Sequence, residues 1–546
     1  AEFQNPDPVQ RARNELGVQV EPGAEILHAA ADQLVDGALD VGDIHQPQRH
    51  LRLAENLEPL RRRRHRTVGN GIGRATARAA DRRPPVRSIG HANIGAAIAS
   101  NWMSAASFLG IAGVFFLNGY FAFAYILGWT GGYVLLLVLM GSQIRRFGKY
   151  TAPDFVGARY DSSVARVISA VIAIIISLIY CVAQYKGIGL VFAWMFGIEY
   201  TQALIFGILV TLAYLIIAGA LKAARNPQMH YLVLILSFVI PLMMIAKKLG
   251  YNWLLPQFSY GNALRDLPEQ VSSAYLFPWT FGSPYEWIAL CFTLMVGTAG
   301  LPHVLSRFYT VPNTRDARWG VVGGIFFIGL LYWSAPAFGA FARNWMERSG
   351  VAFDPVEARA IADIIVIKTA EWVGVNELLV SVLAVGGILA AISTITGLLV
   401  TAAGAVSYDI YYRLINPNAN ERHLLLVAKG ATLVLALIVL VIAVNPPGLI
   451  AQITAVAFAL AGNTLFPVFL LGIWWDRANK YGAIAGMVVG ITITFARILF
   501  GHIFPLLRTV LPPTSSALIG APLVILTMII VSRLTPPPPE HLRRFL

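Results

Sequence analysis

Ser393 and Thr394 stand side by side in an apolar run, Leu389-Ala-Ala-Ile-Ser-Thr-Ile-Thr396, where a helix would point their side chains about 100° apart. Two hydroxyls so placed can face one neighbour. Sodium, a hard cation, takes uncharged oxygens of this kind together with carbonyls freed by an interrupted helix. The competing reading is that each hydroxyl bonds back to a carbonyl one turn earlier, as Ser and Thr commonly do in membrane helices. Lys186, in Gln184-Tyr-Lys-Gly187, is the most conspicuous ionisable group at apparent membrane depth, where placing a charge costs about 2.5–3.5 kcal/mol. It must therefore find a partner: an anionic substrate, a backbone carbonyl, or the interface by snorkelling. Arg497 lies near a segment end and reads as snorkelling. His230 and His303 fall singly at segment edges and read as helix-end residues.

These groups need elements that bring them together. The first apolar segment, about residues 94–118, contains Asn101-Trp-Met-Ser-Ala-Ala-Ser-Phe-Leu-Gly-Ile-Ala-Gly113. It is long enough to span a bilayer, yet Ser104, Ser107, Gly110 and Gly113 make it a poor plain anchor. Either the helix is interrupted beside a watery site, or these small residues let a neighbour pack closely. Five segments later, at about 281–303, comes Phe292-Thr-Leu-Met-Val-Gly-Thr-Ala-Gly-Leu-Pro302, with Gly297, Gly300 and Pro302 as breakers. Two broken helices five apart predict two five-helix halves of opposite topology, with ligand and ion held near the midplane, as in secondary transporters.

The chain of 546 residues is 56% hydrophobic and 13% charged, with a mean hydropathy of +0.62. It reads as a polytopic all-α membrane protein. Cys181 and Cys291 both lie in apolar segments, so neither a disulfide framework nor a thiolate metal site is expected. The net charge of +13 would suggest nucleic acid in a soluble domain. Here the excess sits in an Arg-rich N-terminal region and in short loops, where membrane orientation explains it without nucleic acid. No phosphate-binding loop, zinc-protease helix or nucleophile elbow is present, so nothing argues for an enzyme.

Twelve candidate spans follow one another at about 94–118, 122–141, 164–196, 202–220, 229–247, 281–303, 319–341, 378–406, 424–443, 449–473, 481–500 and 516–532. With the first running outward, the cytoplasmic loops hold Arg145, Arg146, Lys149 and Arg159, then Lys222 and Arg225, then Arg307, Arg315 and Arg318, then Arg413 and Arg422, then Arg477 and Lys480. The opposite short loops hold only Arg508, so the positive-inside rule places the C-terminus, with Arg533, Arg543 and Arg544, in the cytoplasm. Residues 248–280 read as an aromatic outer cover and 342–377 as containing a short amphipathic helix around Ala358-Arg-Ala-Ile-Ala-Asp-Ile-Ile365; either suits a lid. Residues 1–93, with Arg61-Arg-Arg-Arg-His-Arg66, contain no span and read as disordered or as a solvated tail.

The run from Asn101 to Gly113, the run Gly300-Leu-Pro-His-Val-Leu-Ser-Arg-Phe-Tyr-Thr310, and Ala390-Ala-Ile-Ser-Thr through Ser407-Tyr-Asp-Ile-Tyr411 together resemble the sodium:solute symporter family, in its cation/acetate symporter branch. The resemblance covers about residues 95–535. It implies a LeuT-type five-plus-five inverted repeat with halves at 94–247 and 281–473, and two extra helices with a cytoplasmic tail in 474–546. It further implies sodium-coupled uptake of a small organic anion such as acetate across the plasma membrane. The sodium site is then expected at the carbonyls of Ser100, Met103 and Ala390 and the hydroxyls of Ser393 and Thr394. The substrate is expected near Ser104, Ser107, Gly110, Gln184, Lys186, Gly297 and Thr298, its carboxylate at half-helix N-termini by Gly110 and Gly297. Family members carry one more span before the first broken helix, which residues 1–93 do not show; a mis-started, wrong-frame or truncated product is the expectation there. Phe121-Ala-Phe123 is bulkier than the family pattern, and Ala223 to His230 departs from it.

Overall fold

A computed structural model of the chain describes residues 91–141, 143–144, 151–222, 227–308, 314–500, 503–504 and 512–543. The expectations for residues 1–90 and for Arg145, Arg146, Lys149, Arg225, Arg508 and Arg544 lie outside these, as do those for the side chains of Lys222, Arg307, Arg315, Arg318, Arg497 and Arg543. No strand occurs among the described residues. The main helices are α1 (His91–Trp102), α2 (Ile111–Asn118), α3 (Phe123–Leu135), α4 (Ser163–Phe196), α5 (Tyr200–Lys222), α6 (Pro227–Lys248), α7 (Pro284–Gly300) and α8 (Pro302–Phe308). They continue as α9 (Thr314–Arg348), α10 (Glu377–Gly404), α11 (Glu421–Ala443), α12 (Ile450–Asn463), α13 (Leu465–Trp474), α14 (Lys480–Phe500) and α15 (Ala517–Leu534). Each of the twelve expected segments falls on helix. Eight helices among the described residues are long and apolar enough to cross a membrane, and Tyr200–Leu215 and Lys480–Ala496 are shorter apolar stretches.

Local chemistry sets the helix ends. Ser162 caps α4 by accepting the Ala165 N–H, and Gly197, at φ +63°, ends it in the left-handed conformation that glycine adopts most cheaply. Ser283 and Glu286 form a reciprocal capping box ahead of α7, with Pro284 in the first turn. Asn376 and Asn420 cap α10 and α11.

Among the described residues three helices are interrupted. Between α1 and α2, Met103 and Ser104 leave the helix, and Ala106–Gly110 returns as a wide π-turn. Between α7 and α8 the chain opens at Leu301 (φ −70°, ψ 121°), because the ring of Pro302 bars its predecessor from the helical region. A third break, at Thr464 between α12 and α13, was not expected from a segment read as one span at 449–473. Of the two readings of these glycines, interruption or close packing, the contacts favour close packing, although Gly300 is also the last residue of α7. A Cβ on Gly113 would run into the Ala362 carbonyl, one on Gly297 into the Phe458 carbonyl, and one on Gly300 into the Ala461 carbonyl. They are points of close backbone approach, as small residues provide in membranes.

The two long segments between helices, 248–280 and 342–377, pack onto the bundle. In 248–280, Trp253, Phe258, Phe277 and Trp279 are exposed, whereas Tyr260 and Tyr275 turn inward; the Tyr275 hydroxyl donates to the Phe116 carbonyl at 2.6 Å. The single amphipathic helix expected around Ala358 to Ile365 is instead two short helices, Pro355–Ile361 and Ile365–Trp372, joined by a 3-10 turn at Ala362–Ile364. That turn points Asp363 into the protein. At the opposite end of α4, Arg166 pairs with Asp154 at 2.7 Å and approaches Asp409 at 3.8 Å. Arg159, expected as an orientation charge in a loop, is buried there and donates to the carbonyls of Gly472 and Trp475 at 2.6 and 3.1 Å. A cation suits that end of α13 because helix C-termini carry partial negative charge.

Candidate functional site

The interruption of the first helix is held open by diverted N–H groups. The Ala105 N–H donates to Gln184 Oε1 on α4 at 2.8 Å instead of continuing the α1 ladder. The Ser107 N–H turns to Ser104 Oγ at 3.3 Å, so the donor that would normally serve the Met103 carbonyl is used elsewhere. Ser104 and Gln184 thus cap the second half-helix, and they release backbone oxygen at the break. α10 packs against α1, α8 and the π-turn. On α10, Ser393 Oγ donates to the Ala390 carbonyl at 2.9 Å and Thr394 Oγ1 donates to the same oxygen at 3.2 Å. The back-bonding reading therefore holds geometrically, and it does not exclude a cation: a hydroxyl that gives its proton to a carbonyl keeps its lone pairs for another partner. Ser100, Met103, Ala390 and Thr394 are buried and Ser393 half-buried.

Around the same break lies an aromatic and hydroxyl cluster that sequence reasoning only partly named. The Trp102 indole N–H donates to Tyr332 Oη at 2.7 Å, Tyr332 Oη lies 3.0 Å from Ser107 Oγ, and the Tyr180 hydroxyl donates to Ser104 Oγ at 3.2 Å. Phe458 of α12 meets the rings of Trp102, Trp129 and Tyr180, and Trp129 stacks on Tyr332. None of these residues carries a charge. His303, expected to stand alone at a helix end, lies edge-on to Tyr180 with ring centroids 5.7 Å apart. The indole N–H of Trp129, Gln184 Nε2 and Thr454 Oγ1 are buried with no hydrogen-bond partner. So the break gathers Ser104, Ser107 and Gln184 as expected, and adds Trp102, Tyr180, Tyr332 and Phe458.

Other expected site residues are placed differently. Gly110 ends the π-turn against Ala451, more than a turn inside the second half-helix, and Gly297 sits inside α7, one turn before its break; neither is a half-helix N-terminus. Thr298 is buried and its hydroxyl donates to the Leu294 carbonyl at 2.8 Å. Lys186 is not free to anchor an anion: its ammonium pairs with Asp363 and donates to the Gly448 carbonyl at 2.8 Å. Asp363 also accepts the Ile450 N–H at 3.1 Å, so one clasp ties α4, the 342–377 segment and the start of α12. Burial raises the Asp363 carboxyl above its ordinary pKa, and Lys186 pulls against that. His230 lies in the first turn of α6, a helix-end position as expected.

A bundle of interrupted helices meeting at a neutral, oxygen-lined break is the fold of known membrane transporters of the LeuT type. A substrate-bound, outward-open Na+-coupled sialic acid symporter superposes with a TM-score of 0.66 at 16% identity, covering 83% of this chain and 91% of that one. A nucleobase-cation-symport-1 family transporter, closed over bromovinylhydantoin, superposes with a TM-score of 0.50 at 15% identity, covering 84% and 96%. At such identities the likeness is one of fold. In sequence, the Sodium:solute symporter family matches residues 85–490, and the chain belongs to that family. Similar relatives include an uncharacterized symporter of Cupriavidus necator, 29% identical over 81% of this chain and 86% of its own. Another, the uncharacterized symporter YwcA of Bacillus subtilis, is 31% identical over 73% and 76%.

Proposed function

We propose that the protein is a sodium-coupled symporter of a small monocarboxylate such as acetate, working by alternating access in the plasma membrane with its C-terminus in the cytoplasm. Its twelve spans form an inverted repeat, residues 94–247 and 281–473, followed by two further helices. Sodium is held by the carbonyls of Ser100, Met103 and Ala390 and the hydroxyls of Ser393 and Thr394. The solute lies at the adjoining break against Ser104, Ser107 and Gln184. The observation that carries this reading is the opened backbone at Met103–Ser104, its N–H groups drawn off to Gln184 and Ser104, next to paired hydroxyls on α10. Neutral oxygens suit a weakly held alkali cation, which must leave as readily as it enters.

With one sodium per monoanion no net charge moves, so the sodium gradient alone drives uptake. Each further sodium adds about 2.3 kcal/mol per 100 mV, more than tenfold in accumulation. Replacing Ser393 and Thr394 together by Ala removes two oxygens from the cation, and sodium-stimulated uptake into proteoliposomes is expected to vanish. Uptake with unchanged sodium dependence overturns the site. The likeness to a carrier of sialic acid, a larger carboxylate, supports a second reading in which the solute is a larger carboxylate. Competition of uptake by a panel of short acids, larger carboxylates and amino acids separates the two.

A further inference from the structure

Gln184 and Thr454 are both fully buried, and the amide nitrogen of one and the hydroxyl of the other bond to nothing. They belong to helices α4 and α12, which pack together. The Tyr180 ring meets Phe458 at 5.7 Å, and a Cβ on Gly187 would touch Ile450 Cδ1 at 3.4 Å. Numbering rises along one helix as it falls along the other, so the two run antiparallel. Gln184 lies four residues after Tyr180, and Thr454 lies four before Phe458. The two contacts therefore bracket them and set Gln184 and Thr454 at one level, directly below the clasp formed by Lys186, Asp363 and Ile450. Native proteins seldom leave a buried polar group unmatched. Two at one level on facing helices mark a place for a third atom.

The chemistry of that atom is restricted. Gln184 Oε1 already accepts the Ala105 N–H, so Nε2 can only donate and its partner must be an acceptor. A threonine hydroxyl donates equally well. Both groups are neutral, and the nearest cation on α4, Lys186, is taken up by Asp363. We infer that one carboxylate oxygen of the transported solute sits between Gln184 Nε2 and Thr454 Oγ1 and receives a hydrogen bond from each. This rests on the reading of the chain as a monocarboxylate symporter, and it adds α12 to the solute's ligands. Two neutral donors hold a single negative charge that arrives with sodium, and Gln184 Nε2 has no lone pair to offer a cationic group.

The test uses the full chain in proteoliposomes under an inward sodium gradient, with labelled acetate. Thr454→Val keeps the shape and removes the hydroxyl. Its KM for acetate is expected to rise about tenfold or more, the worth of a hydrogen bond to a charged group. Thr454→Ser restores the wild-type value. Gln184→Glu keeps an oxygen for Ala105 and replaces the donor by a carboxylate oxygen, so acetate uptake is lost. An unchanged KM in Thr454→Val, with active wild-type protein, overturns the inference and assigns the place to water. If Thr454→Val does not fold, Gln184→Glu decides: acetate uptake at the wild-type level overturns the inference. Should the wild type carry another solute of the panel instead of acetate, the substrate assignment fails and the same Thr454→Val comparison on that solute still decides the pair. A wild type that binds sodium and carries none of them overturns both.

Discussion

The clasp between Lys186 and Asp363 is the most exposed of these arguments to a quantitative test. Asp363 is 2% exposed and holds one ammonium and one backbone N–H. At an effective dielectric of about 20, unit charges about 4 Å apart attract by roughly 4 kcal/mol. Removing one partner of a buried pair costs about 3–5 kcal/mol, since the other charge stays desolvated. Lys186→Met leaves Asp363 with only the Ile450 N–H, so it favours any arrangement in which the 342–377 segment lifts and the carboxylate meets water. Asp363→Asn is milder, because Lys186 keeps the Gly448 carbonyl. The double variant removes both charges and is expected within about 1 kcal/mol of wild type, a coupling of about 2 kcal/mol or more. The reporter is Ala451→Cys, a buried position against Gly110 just inside the clasp, in a background with Cys181 and Cys291 replaced. Labelling by an impermeant maleimide from outside is expected to quicken about a hundredfold or more in Lys186→Met and to fall back in the double variant. If Lys186→Met labels at the wild-type rate, or the two changes simply add, the pair closes nothing.

The sequence made the helices legible and the site only in part. The run read at 164–196 is Ser163–Phe196 in the structure, because a bilayer-long apolar stretch between a serine cap and a glycine stop has one solution. Pro302 marked its break correctly, since the constraint acts on the preceding residue alone. Gly110 and Gly113 misplaced the first break by about two turns. A glycine looks the same whether it loosens a helix or admits a neighbour, and only the tertiary contact of Gly113 with Ala362 tells which. Lys186 announced its need for a partner but not which one: Asp363 lies 177 residues away, in a segment whose apolar periodicity hid the inward turn of its carboxylate. Tyr332, Phe458 and Thr454 gave no signal, because an aromatic or threonine in an apolar helix reads as core until the register with α1 and α4 is known.

Three further outcomes follow from the same geometry. Gly113→Val forces a side chain into the Ala362 carbonyl and is expected to cost about 1–3 kcal/mol, seen as a lower melting temperature in detergent; an unchanged melt means that α2 and the 342–377 segment are not in contact as described. Arg166→Gln leaves Asp154, 1% exposed and with one oxygen already unpartnered, with only the Arg413 guanidinium at 3.9 Å, for a loss of about 2–4 kcal/mol in the same melt, while Arg166→Lys loses less. The last concerns pH. Burial raises the Asp363 carboxyl above its ordinary value of 3.8, outweighing Lys186, the Ile450 N–H and the more distant Arg359, which all lower it. A carboxyl that holds its proton more tightly with the clasp shut than in open water takes up a proton on closing, so acid favours the shut arrangement. That stabilisation is complete below the free value and is lost as pH rises through the raised one. Labelling of Ala451→Cys from outside should therefore slow as the external pH is lowered into this window, and the Asp363→Asn variant should lose the dependence. Labelling that quickens in acid would mean that the attraction of Lys186 outweighs desolvation, and that the clasp opens on protonation instead.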